Sequence, residues 1–222
     1  NTPEKISAVE TADKVKINKK AQDILDNVAR VMGRKYLQNI DSYSQASRIE
    51  IPMAELKGSM IVQTTGYKIF IHSEMNGVEE KSGFDGSNAW SINATSGMRD
   101  LSGAEKLNMQ SKCLNYLKIP TTFYNSITIE DSEIFNGTMA LKLKYTKKGL
   151  DPFYEFIDPE TFLCLGRRMT QIDASGKQLV TLIYKQFRTH KIGFKYPLSI
   201  IQTVGTTEII TSFDEPVLNE ML

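Results

Sequence analysis

The chain is poor in the side chains that do chemistry: 222 residues include two cysteines, two histidines and one tryptophan. Cys113 and Cys164 fit no zinc ligand set, because two thiols cannot fill a structural site alone. They read either as one disulfide or as two independent buried thiols. His72 and His190 stand at metal-motif spacing from no second histidine or acidic ligand, and both read as solvated strand or turn side chains. There is no G-x-S-x-G elbow, and Ser82-Gly83 and Ser96-Gly97 are turn material. The glycines are scattered over turns, so no phosphate loop forms. The pairs Glu79-Glu80, Asp131/Glu133 and Glu155/Asp158 read as solvated strand faces before they read as glycoside chemistry. No catalytic residue, no metal site and no cofactor is expected, and the protein reads as a non-enzyme.

Charge and long apolar runs are equally scarce. The net charge is +1, which gives no electrostatic case for nucleic acid or anionic lipid. The basic spots Lys147-Lys148 and Arg167-Arg168 lack the interleaved aromatics of an RNA-binding sheet. No apolar run approaches the roughly 20 residues that a membrane-crossing helix needs.

What the chain does have is periodicity. Ala21, Ile24, Leu25, Val28, Val31 and Met32 make one stripe of an amphipathic helix, with Asn18 as its cap and Gly33 as its stop. From about Ser44 the period becomes two. Ile49 and Ile51, then Ile69 and Ile71, alternate with polar residues, and Asn76-Gly77 marks a hairpin turn. Phe84 to Asn93 (FDGSNAWSIN) places a D-G turn before a strand that carries Trp90 and Ile92. Residues 102–117 read as one inserted helix, with Leu107, Leu114 and Leu117 along one face and Ser102 as cap. A second strand block follows, in which Met139, Leu141, Leu143 and Tyr145 share a face. The fold class is α+β: a large curled antiparallel sheet of about ten or eleven strands. Residues 1–17 read as a flexible lead-in and 18–222 as a single domain. The opening Asn1-Thr2-Pro3 fits either an exported mature form or a trimmed chain.

The order of elements resembles the LolA/LolB-like periplasmic lipoprotein carriers and outer-membrane lipoprotein-sorting proteins. The resemblance rests on the helix Ala21 to Met32, the G-x-x-x-x-Gln strand from Gly58, and FDGSNAW at Phe84 to Trp90. The helix at 102–117, the stretch Phe153 to Met169, and Phe194-Lys195-Tyr196-Pro197 complete it. It implies an unclosed half-barrel whose N-terminal helix and inserted lid helix cover an apolar concave face. It further implies a periplasmic, possible outer-membrane-associated monomer that shelters lipid or lipoprotein acyl chains. The expected lining is Ile49, Ile51, Ile69, Ile71, Trp90, Ile92, Leu141 and Leu143, with Leu107, Leu114 and Leu117 under the lid. Arg48 is the one early-strand arginine that could stand where such carriers use an arginine to control their lid. The alternative is an envelope interaction module with a packed interior and a protein partner.

Overall fold

A computed structural model describes residues 15–173 and 176–220. Residues 1–14 of the expected lead-in lie outside this range. Lys16–Ile17 form a strand, β1, followed at once by α1 (Lys19–Val31). The Asn18 side chain accepts from the Ala21 N–H at 2.8 Å, capping the first turn of α1. Gly33, at φ 69°, ends it.

Six strands then run as a meander: β2 (Ser42–Ile51), β3 (Leu56–Thr65), β4 (Lys68–Met75), β5 (Val78–Phe84), β6 (Ala89–Asn93) and β7 (Gly97–Leu101). Two short helices follow, α2 (Gly103–Ser111) and α3 (Leu114–Lys118). A second meander comprises β8 (Ser126–Phe135), β9 (Thr138–Thr146), β10 (Phe153–Ile157), β11 (Cys164–Asp173), β12 (Gly176–Thr189), β13 (Lys195–Val204) and β14 (Thr207–Phe213), and β15 (Val217–Leu218) ends the series. All fifteen strands among the described residues belong to one sheet. Among the strands beyond the expected ten or eleven are β1, β7 and β15. For β7 the cause is local. The Asn93 side chain accepts from the Thr95 and Ser96 N–H groups, Gly97 takes φ 65°, and the chain folds back on β6.

The two meanders are joined side by side where β14 pairs antiparallel with β2 (Thr211 opposite Ile49). β7 stands at one margin of the sheet; β8, with β1 parallel to it, stands at the other. The sheet is therefore a curled, unclosed half-barrel. Since β7 and β8 are consecutive strands at opposite margins, residues 102–125 must cross from rim to rim. α2 and α3 are that crossing.

The expected single helix over 102–117 is broken at Cys113, whose backbone is extended at ψ 147°. The sheet takes over the helix's hydrogen bonds there. The Leu114 N–H donates to Thr64 Oγ1 at 2.8 Å and the Asn115 N–H to the Gly66 carbonyl at 3.0 Å. The roof is thus stitched to the β3–β4 turn at the residue where its own helical ladder stops.

Strand register shows that both helical covers lie on the same face, called inner below. Leu143 is opposite Glu155, Glu155 opposite Arg167, and Arg167 opposite Leu182. Continuing across the seam, Thr64, Ile69, Phe84, Ala89 and Leu101 stand in one row. α1 buries Ala21, Ile24, Leu25 and Val28 against Ile127, Leu143, Tyr145 and Ile157. Met109 and Cys113 of the crossing pack on Ile69, Phe84, Ala89 and Leu101. Burying Ile24, Leu25 and Val28 contributes about 1.5–3 kcal/mol each. A smaller cluster on the outer face stacks Phe135 on Phe156 at 4.1 Å between ring centres, over Gly166.

The segment Gly193 to Pro197 anchors the end of α1. The Lys195 N–H donates to the Met32 carbonyl at 2.9 Å, and a Cβ on Gly33 would stand 2.3 Å from the Gly193 carbonyl oxygen. His190, just before this anchor, is buried, its ring stacked 4.9 Å from that of Phe194. The reading of His190 as a solvated turn residue is corrected by this contact. Cys113 and Cys164 are both free and buried in different clusters. Burial pushes their thiols up to about 11 and about 12, which keeps them protonated and inert.

Candidate functional site

Between its two helical covers the inner face is only half closed. Ile49, Ile51 and Val62 on the first meander, and Leu182, Ile200 and Ile209 on the second, share the face of the buried clusters, yet each keeps partial contact with solvent. They make an apolar trough on either side of the β2–β14 seam. An open depression of about 430 Å³ adjoins it at the β2–β3 turn, lined by Ile51, Pro52 and Leu56 with Glu50, Glu55 and Lys57. A second, of about 220 Å³, opens beside the D-G turn and is lined by Ile69, Phe70, Phe84 and Trp90 with Lys68 and Asp85.

Aromatic rings connect the roof to the far wall. Tyr67 packs on Tyr116 at 5.3 Å, Tyr116 on Phe123 at 4.8 Å, Phe123 on Tyr124 at 5.1 Å and Tyr124 on Tyr145 at 5.1 Å. Edge-on contacts dominate this chain, the geometry that ring quadrupoles favour.

One charged group is buried in the apolar lining. Glu155 on β10 lies between Phe153 and Ile157 on the inner face and is 4% exposed. Its Oε2 accepts from the Tyr145 hydroxyl at 2.5 Å, and its Oε1 from Arg167 Nε at 2.9 Å, with Arg167 Nη2 at 2.7 Å. Burial alone would raise the Glu155 pKa. The Arg167 and Arg34 charges and these hydrogen bonds outweigh it and hold the carboxyl below its ordinary value. The neighbouring phenols respond oppositely: burial pushes Tyr124 up to about 12, and raises Tyr184 and Tyr145 as well. Among the described residues, no group of three or more His, Cys, Asp or Glu side chains could hold a metal ion. No helix among them is long and apolar enough to cross a membrane.

Neither a protein-family profile nor a curated protein matches the sequence. Solved structures do match the fold. A LolA superfamily protein from Nitrosomonas europaea superposes with a TM-score of 0.59 at 15% identity, over 91% of this chain and 94% of that one. A DUF1329 family protein from Desulfovibrio piger gives 0.58 at 14%, over 92% and 95%. A domain assigned as an outer membrane lipoprotein-sorting protein from Vibrio parahaemolyticus gives 0.57 at 13%, over 92% and 94%. The fold is LolA-like.

The LolA-like sheet distributes the eleven expected lining residues unevenly. Ile49, Ile51 and Ile71 face the trough and are half-buried. Ile69, Leu114 and Leu143 are fully packed beneath the helices. Leu141 flanks the α1 cluster, and Leu107 reaches toward Gly149. Leu117 is 40% exposed, because the break at Cys113 turns α3 out of phase with α2. Trp90 and Ile92 are on the outer face. Trp90 lies over Gly83, where a Cβ would stand 2.9 Å from its ring, and beside Phe70 at 6.1 Å. The inward residues of that strand are instead Ala89 and Ser91, both buried. Arg48 also points outward and pairs with Asp214 at 3.4 Å. The sequence reading missed the polar centre of the lining. Glu155 was readable in FYEFI, where it shares strand parity with Phe153 and Ile157, and Arg167 is the inward member of the Arg167-Arg168 pair.

Proposed function

We propose that this LolA-like chain is a non-enzymatic binding or carrier protein that shelters acyl chains or another lipophilic ligand on its inner face. The observation that carries this reading is the half-exposed apolar trough lying between two helical covers in a sheet that does not close. A packed domain core would leave no such strip in contact with water, whereas a ligand hydrocarbon laid along it would gain about 0.8 kcal/mol per buried CH₂. The solved structures it resembles include one assigned to outer-membrane lipoprotein sorting, which supports a periplasmic setting and an acyl cargo for this chain too. Opening and closing of the roof would then be a population shift between empty and loaded states.

The test is a titration with the apolar fluorophore Nile red, together with native mass spectrometry of gently purified protein. Saturable fluorescence enhancement, displaced by added acyl ligands and weakened at least tenfold by Leu182→Asp, is the expected result. Absence of any saturable binding by the folded protein overturns the reading in favour of an interaction module with a closed interior.

A further inference from the structure

Arg167 is only partly used by the protein. Its Nε and Nη2 both go to one oxygen of Glu155, while Nη1 donates to no described residue. The side chain is 36% exposed, against 5% for its Glu155 partner, although its strand partners Glu155 and Leu182 place it on the inner face. That combination belongs to a group on the wall of an open concavity. The Phe153 ring lies under the guanidinium, 5.6 Å from its centre, which fixes its plane.

The groups around it are donors. The Tyr124 and Tyr184 hydroxyls interact electrostatically with Arg167, and neither hydrogen-bonds a described residue. Arg34, the second cation acting on Glu155, forms no ion pair among the described residues. The Arg34 and Arg167 charges thus both act on one carboxylate, and Arg167 keeps its Nη1 edge free beside the Phe153 ring. An unbalanced cation in such surroundings is costly, and the group that relieves it is an acceptor-only monoanion.

We propose that Arg167, with Tyr124 and Tyr184 as flanking donors, is the headgroup subsite of the trough, and that the ligand is a long-chain amphiphile ending in a single carboxylate. This rests on the carrier reading above and sharpens it: the site selects an anionic single-headed lipid over an uncharged acyl ester of the same length. Arginine's planar fork matches a carboxylate, and hydrogen bonds to charged groups are about twice as strong as neutral ones.

The experiment compares laurate with methyl laurate as displacers of Nile red, on the wild type and on Arg167→Gln. Since Arg167→Gln strands Glu155 without its cation, the double variant Glu155→Gln/Arg167→Gln is measured beside it, with circular dichroism as the check on folding. Wild type is expected to bind laurate at least tenfold more tightly than methyl laurate. The folded double variant is expected to lose that preference while binding methyl laurate within twofold of wild type. Equal affinities for the two ligands in wild type, or a preference that survives in the double variant, overturn the headgroup assignment and leave the carrier reading standing. If Nile red itself does not bind wild type, both fall together.

Discussion

At the scale of single residues, Glu155 is a carboxylate buried on the inner face, held by Tyr145 and Arg167. Removing it leaves the buried Tyr145 hydroxyl and the partly exposed Arg167 without their acceptor, so Glu155→Ala is expected to cost about 1.5–3 kcal/mol in urea unfolding at neutral pH. Its pH dependence follows from the sign of its shift. The folded carboxyl titrates below its ordinary value, so the unfolded chain takes up the proton first as pH falls. The stability it contributes is full above the ordinary glutamate range and is lost as pH drops through the lower, folded value. Urea midpoints taken across that acidic range should therefore fall more steeply for wild type than for Glu155→Gln. A parallel decline in both would show that Glu155 titrates normally. Trp90 gives the lesson in legibility at this scale. Strand alternation showed that Trp90 and Ile92 share one face and Ala89 and Ser91 the other, without showing which face is inward. Bulk suggested the first pair. The roof packs so closely on β6 that only the small pair fits beneath it, and the large residues are left to cover Gly83 and the outside.

At the scale of elements, the decisive contacts are between backbones. Gly33 ends α1 in a left-handed conformation with the Gly193 carbonyl where a Cβ would stand. Gly33→Ala meets both obstacles, since the φ is unfavourable for alanine and the 2.3 Å approach forces the anchor segment away. A loss of more than about 1–3 kcal/mol is expected from denaturant unfolding, the range for a strained backbone residue. Ala at Gly66, which has nothing within 4 Å, is the control for φ alone and should cost less. The Asn18 cap, the Asn76-Gly77 hairpin turn and most of the meander order were readable, because each is set by residues close in the chain, whereas the expected Ser102 cap makes no side-chain hydrogen bond. The break in the inserted helix was not. It depends on Thr64, fifty positions away, offering an acceptor to the Leu114 N–H.

At the scale of the whole molecule, charge lies mainly outside and hydrocarbon inside. Outer-face ion pairs such as Lys142–Glu133, Arg168–Glu133, Lys144–Glu130, Lys81–Glu79 and Arg48–Asp214 are exposed or half-exposed. Pairs of this kind are worth about 0–1 kcal/mol each and are screened by salt. Raising sodium chloride tenfold from about 0.05 M should accordingly move Tm by less than about 4 °C, the shift that about 1 kcal/mol produces in a domain of this size. A larger fall would assign the surface network a share of the stability that its exposure does not support.

The crossing of residues 102–125 from one margin to the other has a mechanical consequence. The two meanders are like the covers of a book whose spine is the pairing of β14 and β15 with β2. The α2–α3 segment is a strap tied to both fore-edges. Such a strap cannot swing aside like a door hinged on one side. It can only bow outward, or draw tight as the covers spread, and its contour length sets how far they part. Admission of a bulky guest and shear along the spine are then one and the same deformation.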